Sequence, residues 1–177
     1  MFIYRDVNIF SLPVDAIVIP TNTGGVAGAG LAKQARDLDP EWYEHYRAMC
    51  LSGRHHLGEP ILHNPTNYQN GAVRFISFPT KDNHWNKSNL GNITVGLSNL
   101  ACYLMDTPEV LRSIAIPPLG CGCGNYGSGN GYVTKAMVEK YIITAMKPLA
   151  KKMDIYMVDF LTGGLTEGAR KALLDGF

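Results

Sequence analysis

Two glycine-rich runs and one lysine carry the chemistry this sequence can offer. The first run, Gly24-Gly25-Val26-Ala27-Gly28-Ala29-Gly30, lies directly behind the apolar run Ala16–Pro20 and the pair Thr21-Asn22. The second, Gly120–Gly131, follows Ser113–Leu119 (SIAIPPL). Removing side chains lets a ligand approach the backbone, and bare N–H groups ahead of a helix suit a phosphate or diphosphate. The second run holds a literal G-x-G-x-x-G at Gly122–Gly127, but late in the chain, whereas a dinucleotide fingerprint belongs in the first strand-to-helix turn. The first run reads G-x-x-G-x-G, and no P-loop sequence occurs. Lys81 follows Pro79-Thr80 at the end of a predicted strand, aimed at the same edge. A lysine amine is a nucleophile only when neutral, so its ordinary pKa near 10.4 would have to be lowered; charged, it stabilises a leaving group. Asn22 stands at a strand end, where an amide can bond hydroxyl groups.

The remaining reactive types form no metal set. His45, His55, His56, His63 and His84 lack ligand spacing. His55-His56, behind Gly53-Arg54, reads as a solvated loop. His84 is near enough to Lys81 for acid–base work. Cys50, Cys102, Cys121 and Cys123 contain no C-x-x-C and no disulfide framework, so reduced thiols in a cytoplasmic protein are expected.

The elements that must position these groups are legible as alternating strands and helices. Phe2–Tyr4, Ala16–Pro20, Pro60–His63, Ala72–Phe78, Ser113–Leu119 and Asp154–Phe160 read as strands. Helical patterns cover Gly30–Leu38, the segment opened by Pro40, Ser88–Met105, Tyr132–Leu149 up to the break at Pro148, and Thr166–Leu174. Asn64–Gly71 is turn chemistry. The alternation predicts an α/β fold with a mostly parallel central sheet and helices on both faces. Ligands of such sheets bind outside the carboxyl ends of the strands, where both glycine runs fall.

With 177 residues, 46% hydrophobic and 18% charged, one soluble domain over 1–177 is expected. A formal net charge of +1 argues against a strong footprint for nucleic acid or an anionic membrane. No apolar run approaches membrane-spanning length, and no leader pattern opens the chain.

Taken in order, these segments resemble a macrodomain, the ADP-ribose-binding module. Asp6 in RDVNIF sits where the family has an early Asp, and VDAIVIPTN, GGVAGAGLAKQ and SIAIPPLGCGCGN are similar to its strand and two loops. Gly30–Gln34 (GLAKQ), Phe78–Lys81 (FPTK) and Ile116–Gly122 (IPPLGCG) resemble the branch holding the DarG-type antitoxins and related ADP-ribosyl glycohydrolases. The resemblance spans nearly the whole chain and implies a single three-layer α/β/α macrodomain sandwich with a mixed, mostly parallel sheet. It implies substrate contacts at Asp6, Val7, Asn22, Gly24, Gly25, Val26, Gly28, Gly30, Leu31 and Thr80. In the second loop it implies them at Gly120, Cys121, Gly122, Cys123, Gly124, Asn125 and Tyr126. Asp6 would accept from the adenine amine, and Lys81, with Asn22, would act at the distal ribose. Two departures stand out. Asp82 replaces residues that are commonly basic, and Cys123–Tyr126 lacks the loop carboxylate that partners the lysine in some members.

The expected activity is removal of ADP-ribose from a modified acceptor, nucleic acid or protein. Hydrolysis of ADP-ribose-1″-phosphate and binding without turnover are the alternatives. The expected partners are ADP-ribose and an ADP-ribosylated substrate, ADP-ribosylated DNA among the candidates, with no membrane, metal or cofactor and a monomeric chain.

Overall fold

The computed structural model describes residues 1–66, 68, 73–107, 110–121 and 135–159. Strand β2, Ala16–Asn22, divides the molecule. Its alternating side chains are buried on both faces, as a strand inside a two-sided sheet requires. Ala16 and Val18 join the core beneath helices α3 (Leu90–Asp106) and α4 (Lys135–Met146). Ile17 and Ile19 join the core beneath α1 (Gly30–Leu38) and α2 (Pro40–Leu51). The product is a three-layer α/β/α sandwich.

Among the described residues five further strands join the sheet: β1 (Phe2–Arg5), β3 (Ile61–Pro65), β4 (Arg74–Lys81), β5 (Ser113–Ile116) and β6 (Asp154–Val158). Their order is β1-β6-β5-β2-β4-β3. Every pairing is parallel except β3 with β4. The mixed, mostly parallel sheet of the sequence reading is therefore present, with its antiparallel member at one edge.

The predicted strand ends shift where the ladder continues past the apolar run. Strand β4 runs on from Phe78 to Lys81, because Pro79 and Lys81 stay in register with Thr21 and Asn22 of β2. Pro79, which cannot donate to the ladder, sits beside the irregularity between Thr21 and Asn22. Strand β5 stops at Ile116, three residues before the predicted end, because Pro117-Pro118 offers no N–H to extend it. Helix α3 starts at Leu90 rather than Ser88, since the Asn89 side chain accepts from the Asn92 N–H and caps it. Tyr132, Phe160 and the predicted helix Thr166–Leu174 lie outside the described residues. Among the described residues no helix is long and apolar enough to cross a membrane.

One close approach fixes the end of β4. A Cβ on Gly96 of α3 would lie 2.6 Å from Cζ of Phe78, whose ring is fully buried. Helix α3 thus rests directly on the residue three positions before Lys81. Leucine favours a helix over glycine by nearly 1 kcal/mol, but overpacking a core costs about 1–3 kcal/mol. Gly96→Leu is expected to lose up to about 2 kcal/mol of stability net of that gain, read as a lower urea midpoint; an unchanged midpoint would show that the ring yields freely.

Candidate functional site

The carboxyl edge of the sheet opens into a cleft of about 880 Å³. Its floor is the end of β2 (Pro20, Thr21, Asn22) and of β4 (Thr80, Lys81). One wall is the first glycine loop and the start of α1: Val26, Gly28, Ala29, Gly30, Leu31, Ala32 and Gln34. The other holds Pro117, Pro118, Gly120 and Cys121 behind β5, with Lys135 and Asp159. Val7, Asn8, Ile9 and Val158 close one end, and His84 stands beside Lys81.

The first loop is held from below by Asn22. Its Oδ1 accepts from the backbone N–H of Gly24 (3.1 Å) and of Val26 (3.2 Å), and its Nδ2 donates to the Val26 carbonyl (2.8 Å). Tyr46 of α2 donates its hydroxyl to the Asn22 carbonyl (2.5 Å). Burial pushes the Tyr46 phenol far above its ordinary range, so it remains a donor at any physiological pH. Much of the Asn22 side chain thus serves the loop.

The glycines divide by direction. Gly25 has φ +77, and a Cβ there would meet Cβ of Cys50 at 3.2 Å and Cγ of Arg47 at 3.3 Å. Its need for glycine comes from α2, not from the cleft, and neither Gly24 nor Gly25 lines the cavity. Gly28 does, and a Cβ there would meet only Cγ1 of Val26, at 3.9 Å. Helix α1 then begins at Gly30 (φ +59) behind Ala29, which supplies no side-chain cap. Helix α2, by contrast, is capped by the Asp39 carboxylate, which accepts from the N–H groups of Glu41 and Trp42. An uncapped helix start open to a cleft leaves donors and positive dipole available to an anion.

Lys81 is only 8% exposed, and its Nζ donates to the His84 carbonyl (3.0 Å). The Thr23 N–H donates to the Lys81 carbonyl (3.1 Å), tying the first loop to the end of β4. The Thr80 hydroxyl donates to the Thr21 carbonyl. Of the sequence-predicted contacts, Val7, Asn22, Val26, Gly28, Gly30, Leu31, Thr80, Lys81, Gly120 and Cys121 are brought together around the cavity. Asp6 is exposed and stands outside its lining, one residue from Val7. Gly122, Cys123, Gly124, Asn125 and Tyr126 lie outside the described residues.

Three features escaped the sequence reading. The Lys135–Asp159 ion pair lies in the cleft wall, with Lys135 also 3.4 Å from Glu139. Only a carboxylate directly behind an apolar strand hinted at it. Cys121 beside it is an inert thiol, its pKa pushed up to about 11 chiefly by burial. The third feature corrects the solvated-loop reading of His55-His56. His56 is exposed, but His55 is only 4% exposed, with its Nε2 3.1 Å from the hydroxyl of Thr21 in the cleft floor. The ring packs edge-on to Tyr46, which draws the loop inward. Among the described residues no cluster of three or more His, Cys, Asp or Glu could hold a metal.

A six-stranded mixed sheet between two helical layers, with a cleft at its carboxyl edge lined by the first glycine loop and by Gly120-Cys121, gives the chain the macrodomain fold. Within that class its likeness is to the DarG branch. It is 36% identical over 122 residues to the DNA ADP-ribosyl glycohydrolase of Thermus aquaticus, a match over 66% of this chain and 32% of that protein. It superimposes on the macrodomain of Mycobacterium tuberculosis DarG with a TM-score of 0.78 at 27% identity, covering 89% of this chain and 97% of that one. It shares the fold of Thermosipho africanus DarTG in complex with ADP-ribose (TM-score 0.79, 22% identity, 98% of this chain and 46% of that one). No family model matches the chain. The chain spans 32% to 40% of the length of the curated relatives it matches.

The buried histidines have a consequence for acid stability. Burial, then the charge of His56, lowers His55 to about 4. Burial, then His45, lowers His63 to about 3, with its Nε2 2.7 Å from the Ser77 hydroxyl. Both groups bind protons more readily in the unfolded chain, whose histidines titrate near 6.5. The stability they contribute is fully present above about pH 6.5 and is lost as pH falls through 5 toward 4 and 3, by up to about 1.4 kcal/mol per pH unit for each. Guanidinium midpoints should therefore drop between pH 7 and pH 5, and the drop should shrink in His55→Gln/His63→Gln. A flat profile in the unsubstituted protein contradicts neutral burial.

Proposed function

We propose that this chain is an ADP-ribosyl hydrolase that binds the ADP-ribose of a modified acceptor in the cleft and cleaves it at the distal ribose. The single observation that carries the reading is the meeting of Lys81 with the open, uncapped start of α1 in one cavity. The bare N–H groups from Gly28 onward suit the diphosphate, and Gly120 and Cys121 face it from the other side. Val7, Ile9 and Val158 give the opposite end an apolar lining suited to adenine, with Asp6 at the rim to accept from its amine. The relatives named for DNA ADP-ribosyl glycohydrolase activity support DNA as the acceptor.

Lys81 is the residue for the chemistry. Its neutral amine attacks C1″ of the distal ribose, the bond from C1″ to the acceptor breaks, and the acceptor leaves with a proton. Water then hydrolyses the lysine adduct, releasing ADP-ribose and the free amine. The His84 carbonyl accepts from Nζ and so anchors the amine of a residue that lines the cavity.

The decisive experiment offers the protein an ADP-ribosylated DNA oligonucleotide, an ADP-ribosylated protein and ADP-ribose-1″-phosphate, and follows which is consumed. Release of ADP-ribose from the oligonucleotide is expected; loss of the 1″-phosphate alone would make the protein a phosphatase instead. Lys81→Ala should bind ADP-ribose almost as the parent does, while release falls at least about a hundredfold, the scale of losing one positioned catalytic group. Cyanoborohydride should trap ADP-ribose on the parent and not on this variant. Full activity in a folded Lys81→Ala protein removes Lys81 from the mechanism.

Gly28→Val tests the binding mode separately. Position 28 has room for a Cβ and an ordinary φ, so the fold should tolerate the change. The isopropyl group would occupy the space between the loop and a diphosphate. Calorimetry should show ADP-ribose affinity reduced by at least about a hundredfold at an unchanged melting temperature. Retained affinity would mean that the loop is only a turn.

A further inference from the structure

Trp85 is 71% exposed, the opposite of what a large aromatic ring favours in water. It belongs to the short turn that follows Lys81, closed by a hydrogen bond from the Asn86 N–H to the Asn83 carbonyl (3.1 Å). The same turn supplies the His84 carbonyl that holds Nζ of Lys81. His84 lines the cleft, and its imidazole meets the Trp85 indole edge to face, with ring centroids 4.7 Å apart and planes at 80°. The turn is also clamped to the first glycine loop: the Thr23 hydroxyl donates to the Asp82 carbonyl at 2.5 Å and lies 3.4 Å from the Asp82 carboxylate. The indole therefore belongs to the same turn that holds the lysine amine, and stands outside the lining of the cavity that ADP-ribose would fill.

We propose that Trp85 forms the acceptor subsite, a flat platform on which the nucleobase carrying ADP-ribose stacks. This rests on the hydrolase reading above. Whatever is bonded to C1″ must lie beyond Lys81 on the open side of the cleft, and the turn that follows Lys81 carries the exposed indole. A planar base covers an exposed indole through its π-face, whereas a flexible amino-acid acceptor offers no matching plane. The exposed Lys87 two residues on supplies a cation for the neighbouring phosphates, and the Asp82 carboxylate is drawn back toward Thr23. The edge-on contact with His84 leaves an indole face for the base while fixing the ring's tilt.

The test compares substrates in Trp85→Ala and Trp85→Phe. Replacing one stacking ring by alanine lowers affinity on the order of ten- to a hundredfold. Trp85→Ala should lower kcat/KM for an oligonucleotide ADP-ribosylated on a base by that factor. It should leave ADP-ribose affinity, measured by calorimetry, at the parent value. Trp85→Phe should recover most of the loss, which a merely structural role would not predict. Fluorescence gives a second readout, because the sequence has two tryptophans and the other, Trp42, is buried. In a Lys81→Ala background the ADP-ribosylated oligonucleotide should quench Trp85 emission, and ADP-ribose alone should not. Unchanged oligonucleotide kinetics in Trp85→Ala, or an equal loss with an ADP-ribosylated peptide, overturns the subsite while the hydrolase reading stands. A parent protein that binds no ADP-ribose overturns both.

Discussion

The pairing of β2 with β4 at their carboxyl ends is the constraint on which the rest depends. Because the two strands are parallel, their ends point the same way, and the chain leaves both at one edge. The register carries Asn22 opposite Lys81, with an irregularity just before the pair. An irregularity at a strand end re-aims a side chain without dismantling the ladder. Asn22 turns into the glycine loop while Lys81 turns to the His84 carbonyl, so two residues nearly 60 positions apart become neighbours with separate tasks. A one-residue slip would send every side chain of β4 to the opposite face of the sheet, burying the lysine's neighbours wrongly and taking its amine from the cleft.

At that edge hydrogen bonds supplement the apolar core. Tyr46, His55 and Cys50 come up from α2 and the loop behind it to meet Thr21, Asn22 and the first glycine loop. A buried polar group is costly unless it is partnered, and the Asn22 side chain finds its partners in the backbone of the loop, at Gly24 and Val26. The loop therefore cannot move without leaving buried donors and acceptors unmet. That arrangement preorganises N–H groups for a ligand before it arrives, which lowers the ordering cost of binding. Gly25 is the geometric condition for it, since any side chain there would strike Cys50 and Arg47.

Much of this was legible in the sequence because hydrophobic period and glycine content report local backbone needs. The strands around Ala16–Pro20 and Ser113–Leu119, and the helices at Gly30–Leu38 and Pro40–Leu51, follow from runs that have one dominant solution. The cleft's position follows from glycine at strand ends. Which way each glycine faces was not legible: Gly25 and Gly28 are the same residue type, and only the placement of α2 separates packing from ligand approach. His55 was misread for a related reason. Its flanking Gly53 and Arg54 signal a turn, but burial is decided by Thr21 and Tyr46, which are distant in sequence. The Lys135–Asp159 pair depends in the same way on α4 and β6 meeting across the sheet edge, a contact that no local window contains.

The turn from Asp82 to Asn86 shows how little chain is needed to couple binding to chemistry. It is joined to the first glycine loop through Thr23 and to Lys81 through the His84 carbonyl. The loop that would grip a diphosphate and the amine that would attack the ribose therefore share one rigid connection. Phe78, packed beneath Gly96 of α3, supports the strand end that carries Lys81. Positioning matters to an attack within a bound complex, because a displacement near 1 Å can cost a hundredfold in rate. The missing carboxylate in Cys123–Tyr126 is consistent with a site that relies on placement and on backbone dipoles rather than on a paired acid and base.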